Sequence, residues 1–187
     1  MKHYVSPDSL RMRSFELAGK IIKDGYKPDF IVALWRGGSA IGCYVHEFLK
    51  YFNINADHIA IRTSRYTGID QVSEEISVHN LGYLTERLKE NSKVLLVDDV
   101  YDSGLSVEAV LNSLKEKLDC KMPKDIRTAT IYFKPKRNKT AKVPEYYLYE
   151  SDEWIVFPHE LEGLNLEEIY TEFGLEIGTL ISKFLEK

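Results

Sequence analysis

"VLLVDDVYDSGLS", residues 94–106, runs four apolar residues into two adjacent carboxylates, Asp98 and Asp99, and places a third, Asp102, inside a small-residue turn. A continuously apolar, β-branched run of this kind, extended backwards to Lys93, is what a strand covered by helices on both faces requires. Val107, Val110, Leu111, Leu114 and Leu118 then recur at helical spacing, so the stretch reads as strand, turn, helix. In open parallel sheets ligands bind beyond the carboxyl ends of the strands. The acid pair therefore stands where a site is expected.

The same unit recurs on the amino-terminal side. "FIVALW" (30–35) is a short buried-type strand, "RGG" is a tight turn, and Ile41, Val45, Phe48 and Phe52 mark a helix behind it. Before it, Ser6 and Pro7 read as cap and first-turn residue of a helix over 7–24 that Gly25 stops. "HIAIRTSRY" (58–66) reads as a further strand, and "TGIDQVSEEISVHN" (67–80), which has no clear period, as a long mobile loop. "IRTATIYFK" (126–134) and "EYYLYESDEWIVF" (145–157) supply two more strands, joined by the basic segment "KPKRNKTAK", read as a solvated loop. The tail over about 164–187 is expected to be a helical extension in two pieces, broken near Gly174 or Gly178. Strands alternating with helices predict an α/β fold with a mainly parallel twisted sheet flanked by helices. At 187 residues, 44% hydrophobic, the expectation is a single domain over 1–187.

The formal net charge of -4 argues against a sequence-independent nucleic-acid binder. Cys43 and Cys120 are too few for a disulfide framework, and "MKHYVSPDSLRMR" lacks the apolar run of a signal peptide. No stretch approaches the roughly 18 apolar residues of a membrane helix. The reading is therefore cytoplasmic, with no nucleic-acid or membrane partner. His3, His46, His58 and His79 show no metal-ligand spacing.

The chemistry lies in the residues just after the acids. "DSGLS" sets two hydroxyls and Gly104 just before an amphipathic helix, whose first backbone N–H groups favour an anion such as phosphate. Carboxylates beside a phosphate site need something else to hold. Ionised carboxylates are pure acceptors, so a vicinal diol suits them; Mg2+, which takes oxygen ligands from one or two carboxylates plus phosphate, suits them equally. Either points to a phosphorylated sugar. A nucleotide hydrolase would also need a G-x-x-x-x-G-K-[ST] loop, which does not occur. A phosphoacceptor signalling domain has no need of "DSGLS" or "WRGG".

An apolar strand, two acids, two variable residues, a third acid and a hydroxyl-glycine turn together resemble the phosphoribosyl pyrophosphate signature of type I phosphoribosyltransferases, nearest to the 6-oxopurine branch (xanthine-guanine and hypoxanthine-guanine enzymes), over roughly residues 28–160. The resemblance implies that fold with a small base-binding hood. It implies that Asp98 and Asp99 hold the ribose hydroxyls and Mg2+, that Ser103, Gly104, Leu105 and Ser106 hold the 5-phosphate, and that Asp102 takes the purine N7 proton. Leu105 stands where some relatives have a lysine or another polar residue. "WRGG" is similar to the family's pyrophosphate loop: Arg36 would supply charge, Gly37 and Gly38 backbone N–H groups, and the Trp35–Arg36 peptide would be cis.

Lys134 matches the family lysine on the purine 6-oxygen; having only donors, it suits a carbonyl and not the 6-amino group of adenine. Lys136 and Arg137 read as solvated. "DEWIVFPHE" resembles the segment in which Trp154 would stack on the purine, Ile155 would meet its edge through the backbone, and Glu160 would lie near pyrophosphate and metal; His159 departs from the aromatic usual in the xanthine-guanine branch. Ser64 and Tyr66 match the family's lid, with Arg65 a departure. The implied reaction moves a 5-phosphoribosyl group from phosphoribosyl pyrophosphate to a 6-oxopurine base, giving a purine nucleoside monophosphate and pyrophosphate, in a homodimer or homotetramer. A non-catalytic sensor of phosphoribosyl pyrophosphate or nucleotide on the same fold, an RNA-binding regulator of that fold, and a transferase for another base stay open as alternatives.

Overall fold

The computed structural model describes residues 2–65 and 76–185. The chain divides into two compact units: Arg13–Asp152, and the amino terminus through Met12 together with the chain from Glu153 onward.

The larger unit is organised by six strands: β2 (Phe30–Trp35), β3 (Asp57–Arg65), β4 (Ile76–His79), β5 (Lys93–Tyr101), β6 (Asp125–Phe133) and β7 (Tyr146–Glu150), in the order β4-β3-β2-β5-β6-β7. All pairs are parallel except β3–β4. Val94–Val97, at the centre of β5, are fully buried, as a strand flanked on both edges and faces must be. The helices α2 (Gly37–Tyr51) and α4 (Leu105–Leu118) follow β2 and β5 directly. Val107, Val110, Leu114 and Leu118 of α4 pack with Val32, Leu34, Ile61, Val94 and Leu96 in one core. Helix α3 (Gly82–Arg87) adds Leu84 to it.

The smaller unit joins two distant parts of the chain. β1 (Lys2–Tyr4) pairs in parallel with β8 (Trp154–Val156), and α5 (Leu166–Glu172) and α6 (Leu175–Leu185) follow. Glu168 accepts from Lys2 Nζ at 2.5 Å and from Tyr4 Oη at 2.9 Å, and it also completes a capping box with Asn165. These bonds tie α5 to β1. The intervening helix α1 (Pro7–Lys23) begins as its sequence predicts, with Ser9 N–H donating to Ser6 Oγ at 3.2 Å, and Gly25 follows its end at φ +72°.

Three expectations change. The stretch 145–157, read as one strand, is two: β7 joins the large sheet, β8 pairs with β1, and residues 151–153 separate them. Strand-like residues stand on either side of a polar stretch, residues 150–153, in which Ser151 N–H makes the last bond to β6, donating to Phe133 O at 3.0 Å. The stretch 67–80, read as a loop, ends in strand β4, whose antiparallel register with β3 matches Ser64 to Ser77. The basic segment 134–142 is anchored rather than simply solvated: Lys139 N–H donates to Ser103 O at 3.0 Å, and Tyr101 Oη lies 3.2 Å from Thr140 Oγ1. The tail breaks at Gly174, φ +93°, while Gly178 lies buried inside α6.

Candidate active site

The carboxyl ends of β2, β5 and β6 bring together most of the motif residues in the larger unit. β5 ends beside α2: the Asp98 carboxylate accepts from Gly38 N–H, and a Cβ on Gly37 would overlap the Asp99 carboxylate. A Cβ on Gly38 would meet Val97 O at 2.2 Å. Both glycines of "RGG" are thus required by close packing of the turn onto the acid strand. The Trp35–Arg36 peptide is cis. Ser39 Oγ, in the same turn, is buried without a hydrogen-bond partner among the described residues.

Burial, and then the adjacent Asp99 carboxylate, push Asp98 well above the usual carboxylate range. Two half-buried carboxylates stand side by side here, and oxygen donors of this kind suit a hard divalent cation.

The turn after β5 closes a cleft of about 80 Å3 between Asp98 and Val107. Gly104, at φ +77°, is the N-cap residue of α4 and has no side chain with which to cap it. A Cβ there would meet Thr140 Oγ1 at 2.6 Å. Ser103 Oγ lies 3.4 Å from Leu105 N, so serine and amide groups line the mouth of the cleft at the positive end of the helix.

Asp102 and Lys134 face each other. Lys134 continues the line of β6, its N–H donating to Tyr101 O at 2.9 Å, and it is only 4% exposed. Its Nζ is 3.6 Å from Asp102 Oδ2, while Arg137 Nε is 2.9 Å from Asp102 Oδ1. A buried ammonium is tolerated only with compensating charge, which Asp102 supplies. Arg137 is exposed, as its sequence pattern expects, and the structure adds its pairing with Asp102: the turn Pro135–Arg137 folds back on Lys134, with Arg137 N–H donating to Lys134 O at 3.0 Å. The only sequence signal is the three-residue spacing from Lys134. Lys136 keeps its solvated reading, pairing with Asp152 on the surface.

In the smaller unit, Trp154 is 62% exposed at the start of β8, and Ile155 is buried after it. Glu160 Oε2 accepts from Phe157 N–H at 3.2 Å, and the His159 ring stacks on Phe157 with centroids 5.4 Å apart. Ser64 Oγ lies 3.1 Å from His79 Nε2, across β3 and β4. Tyr66 lies outside the described residues.

This combination, a parallel sheet with an acid pair, a glycine-opened turn and a phosphate-sized cleft at its carboxyl edge, defines the type I phosphoribosyltransferase class of glycosyltransferases. The family model described as the phosphoribosyl transferase domain matches residues 10–164, and the chain belongs to that family. It is similar to a purine phosphoribosyltransferase from Pyrococcus horikoshii, at 30% identity over 88% of this chain and 97% of that one, with a TM-score of 0.68. A hypothetical protein from Neisseria gonorrhoeae, solved with bound ppGpp, shares 26% identity over 92% and 96% of the two chains, with a TM-score of 0.71. The xanthine-guanine-hypoxanthine phosphoribosyltransferase of Helicobacter pylori shares the fold at 22% identity, over 97% and 99% of the chains, with a TM-score of 0.67. Comparison with the curated proteins finds no match. Among the described residues no helix is long and apolar enough to cross a membrane.

Proposed function

We propose that the protein is a purine salvage enzyme that transfers the 5-phosphoribosyl group of phosphoribosyl pyrophosphate to N9 of a 6-oxopurine. The observation that carries this reading is Lys134, buried at the strand end beside Asp102: a donor-only group poised for a ring carbonyl next to a proton acceptor. The likeness to the Pyrococcus purine enzyme supports the base class.

In this reading the 5-phosphate enters the cleft at Ser103, Gly104, Leu105 and Ser106, and the ribose hydroxyls donate to Asp98 and Asp99. Arg36, with the N–H groups of Gly37 and Gly38, receives the pyrophosphate. The C1–oxygen bond to pyrophosphate breaks as the bond from C1 to N9 forms, and the N7 proton passes to Asp102. Attack opposite the leaving group inverts C1. The exposed Trp154 ring is offered to the purine face, Ile155 supplies its backbone, and Ser64 and Tyr66 belong to a lid that keeps water from the sugar cation.

Asp98 and Asp99 would hold Mg2+, with Glu160 as a further carboxylate of the family pattern. The bound ion supplies countercharge to the carboxylates and to the departing pyrophosphate. The raised Asp98 fits it, since a cation there replaces a proton. A cytoplasmic homo-oligomer, with residues 164–187 as an extension of one functional domain, completes the reading.

Pyrophosphate release tests it, with Mg2+, phosphoribosyl pyrophosphate and one base at a time: guanine, xanthine, hypoxanthine, adenine, uracil. Release with 6-oxopurines and not adenine is expected. The second reading, a nucleotide sensor, draws on the Neisseria relative with bound ppGpp. Silence with all five bases alongside tight phosphoribosyl pyrophosphate binding would favour it.

A further inference from the structure

We infer that Arg137 is a positioning residue for the transfer: it holds Asp102 in place and leaves the Lys134 ammonium available to the ring carbonyl of the base. This rests on the reading of Asp102 as proton acceptor.

The two cations on Asp102 are not equivalent. Arg137 Nε lies 2.9 Å from Oδ1, in close ion-pair contact, whereas Lys134 Nζ stands 3.6 Å from Oδ2, within reach of Coulomb attraction and beyond hydrogen-bond length. One carboxylate oxygen is therefore held by the nearer charge of Arg137, and the other faces a lysine that has not closed on it. A buried ammonium with an unshared carboxylate at this distance would close on it, and the lysine would then be spent on the acid rather than on substrate. Arg137 prevents this by sharing the charge of Asp102.

The segment that presents Arg137 is held in place. Arg137 N–H and Asn138 N–H both donate to Lys134 O, at 3.0 and 3.2 Å, which folds the turn over the lysine. Beyond it, Lys139 N–H is bonded to Ser103 O at 3.0 Å, and Thr140 packs on Gly104. The loop that carries Arg137 is thus pinned to the phosphate turn that carries Asp102. Lys136, between them, turns away to Asp152. The Arg137 side chain is 55% exposed, so its ion pair contributes little to folding. Its effect is expected in the kinetics.

The test is a double-mutant cycle of Arg137→Gln and Asp102→Asn, with Arg137→Lys and Arg137→Met as companions. Initial rates are measured with hypoxanthine, guanine and adenine at varied base and varied phosphoribosyl pyrophosphate. Arg137→Gln and Arg137→Met are expected to lower kcat and raise the KM for 6-oxopurines, by about tenfold in kcat/KM or more, the scale of coupling between residues of one salt-bridge network. The KM for phosphoribosyl pyrophosphate is expected to stay unchanged and the preference for hypoxanthine over adenine to narrow. Arg137→Lys is expected to recover most of the loss, and Arg137→Gln to add nothing in the Asp102→Asn background. Wild-type kinetics in Arg137→Gln or Arg137→Met, with a slow Asp102→Asn, would overturn the inference and leave the proposed function standing. Independent, additive losses would overturn it too. A wild-type rate in Asp102→Asn would instead remove the reading on which it rests.

Discussion

Gly37 lies so close to the Asp99 carboxylate that any Cβ at position 37 would overlap it. The turn after β2 and the acid pair near the end of β5 are therefore one packed unit, although Gly37 and Asp99 are 62 positions apart in the chain (99 − 37). Gly37→Ala is expected to displace Asp99 while leaving the folded core intact. The KM for phosphoribosyl pyrophosphate should rise at least tenfold, a cost of the order of one lost charge-assisted hydrogen bond. Unchanged substrate kinetics would show that the close approach serves packing alone.

Asp102→Asn separates binding from chemistry. The amide keeps the shape of the turn and cannot accept the N7 proton, so turnover should fall roughly 10²-fold, the contribution of general base catalysis. Calorimetric binding of phosphoribosyl pyrophosphate should change little. Equal losses in both would mean that Asp102 holds the phosphate turn rather than the proton.

Lys134→Met keeps most of the buried stem and removes the ammonium. Loss of a charged donor to the ring carbonyl is expected to cut kcat/KM for 6-oxopurines by about 10- to 100-fold. Rates across the five-base panel should then show adenine and hypoxanthine drawn together, because the group that separates them is gone. Retained discrimination would assign it elsewhere.

Glu168 gives the smaller unit a defined acid sensitivity. Hydrogen bonds from Lys2, from the Asn165 backbone and from Tyr4 lower its carboxyl from 4.5 to about 2. A carboxyl whose folded value is depressed contributes stability above its unfolded value and loses it as pH falls through the folded one. The β1–α5 contact is thus at full strength above about pH 4.5 and disappears towards pH 2. Thermal midpoints of wild type and Glu168→Gln should differ at neutral pH and converge across that window. A difference independent of pH would assign the effect to the capping box alone.

Much of the site was legible because its geometry is local. In residues 94–106, an apolar run, an acid pair and a glycine turn give strand, site edge and helix start within one contiguous stretch, and each outcome depends on neighbouring residues. The same holds for "WRGG" followed by α2, and for Lys134 at the end of β6. The ion pair of Arg137 was missed because its partner lies 35 positions earlier (137 − 102), and nothing in "KPKRNKTAK" shows which surface basic residue reaches Asp102.

The sequence by itself determined the alternation of strands and helices, the strand ends that carry acids, and the turns that only glycine can make. Tertiary structure decided which turns meet and where strands are shared. β1, three residues long, has too short a pattern to declare itself and exists only by pairing with β8 about 150 residues later. The stretch 145–157 reads as one strand, yet its two strand-like ends belong to different sheets. The physical reason is that periodicity reports which face of a segment is buried, while hydrogen-bond partners and ion pairs across the fold depend on what the rest of the chain brings alongside.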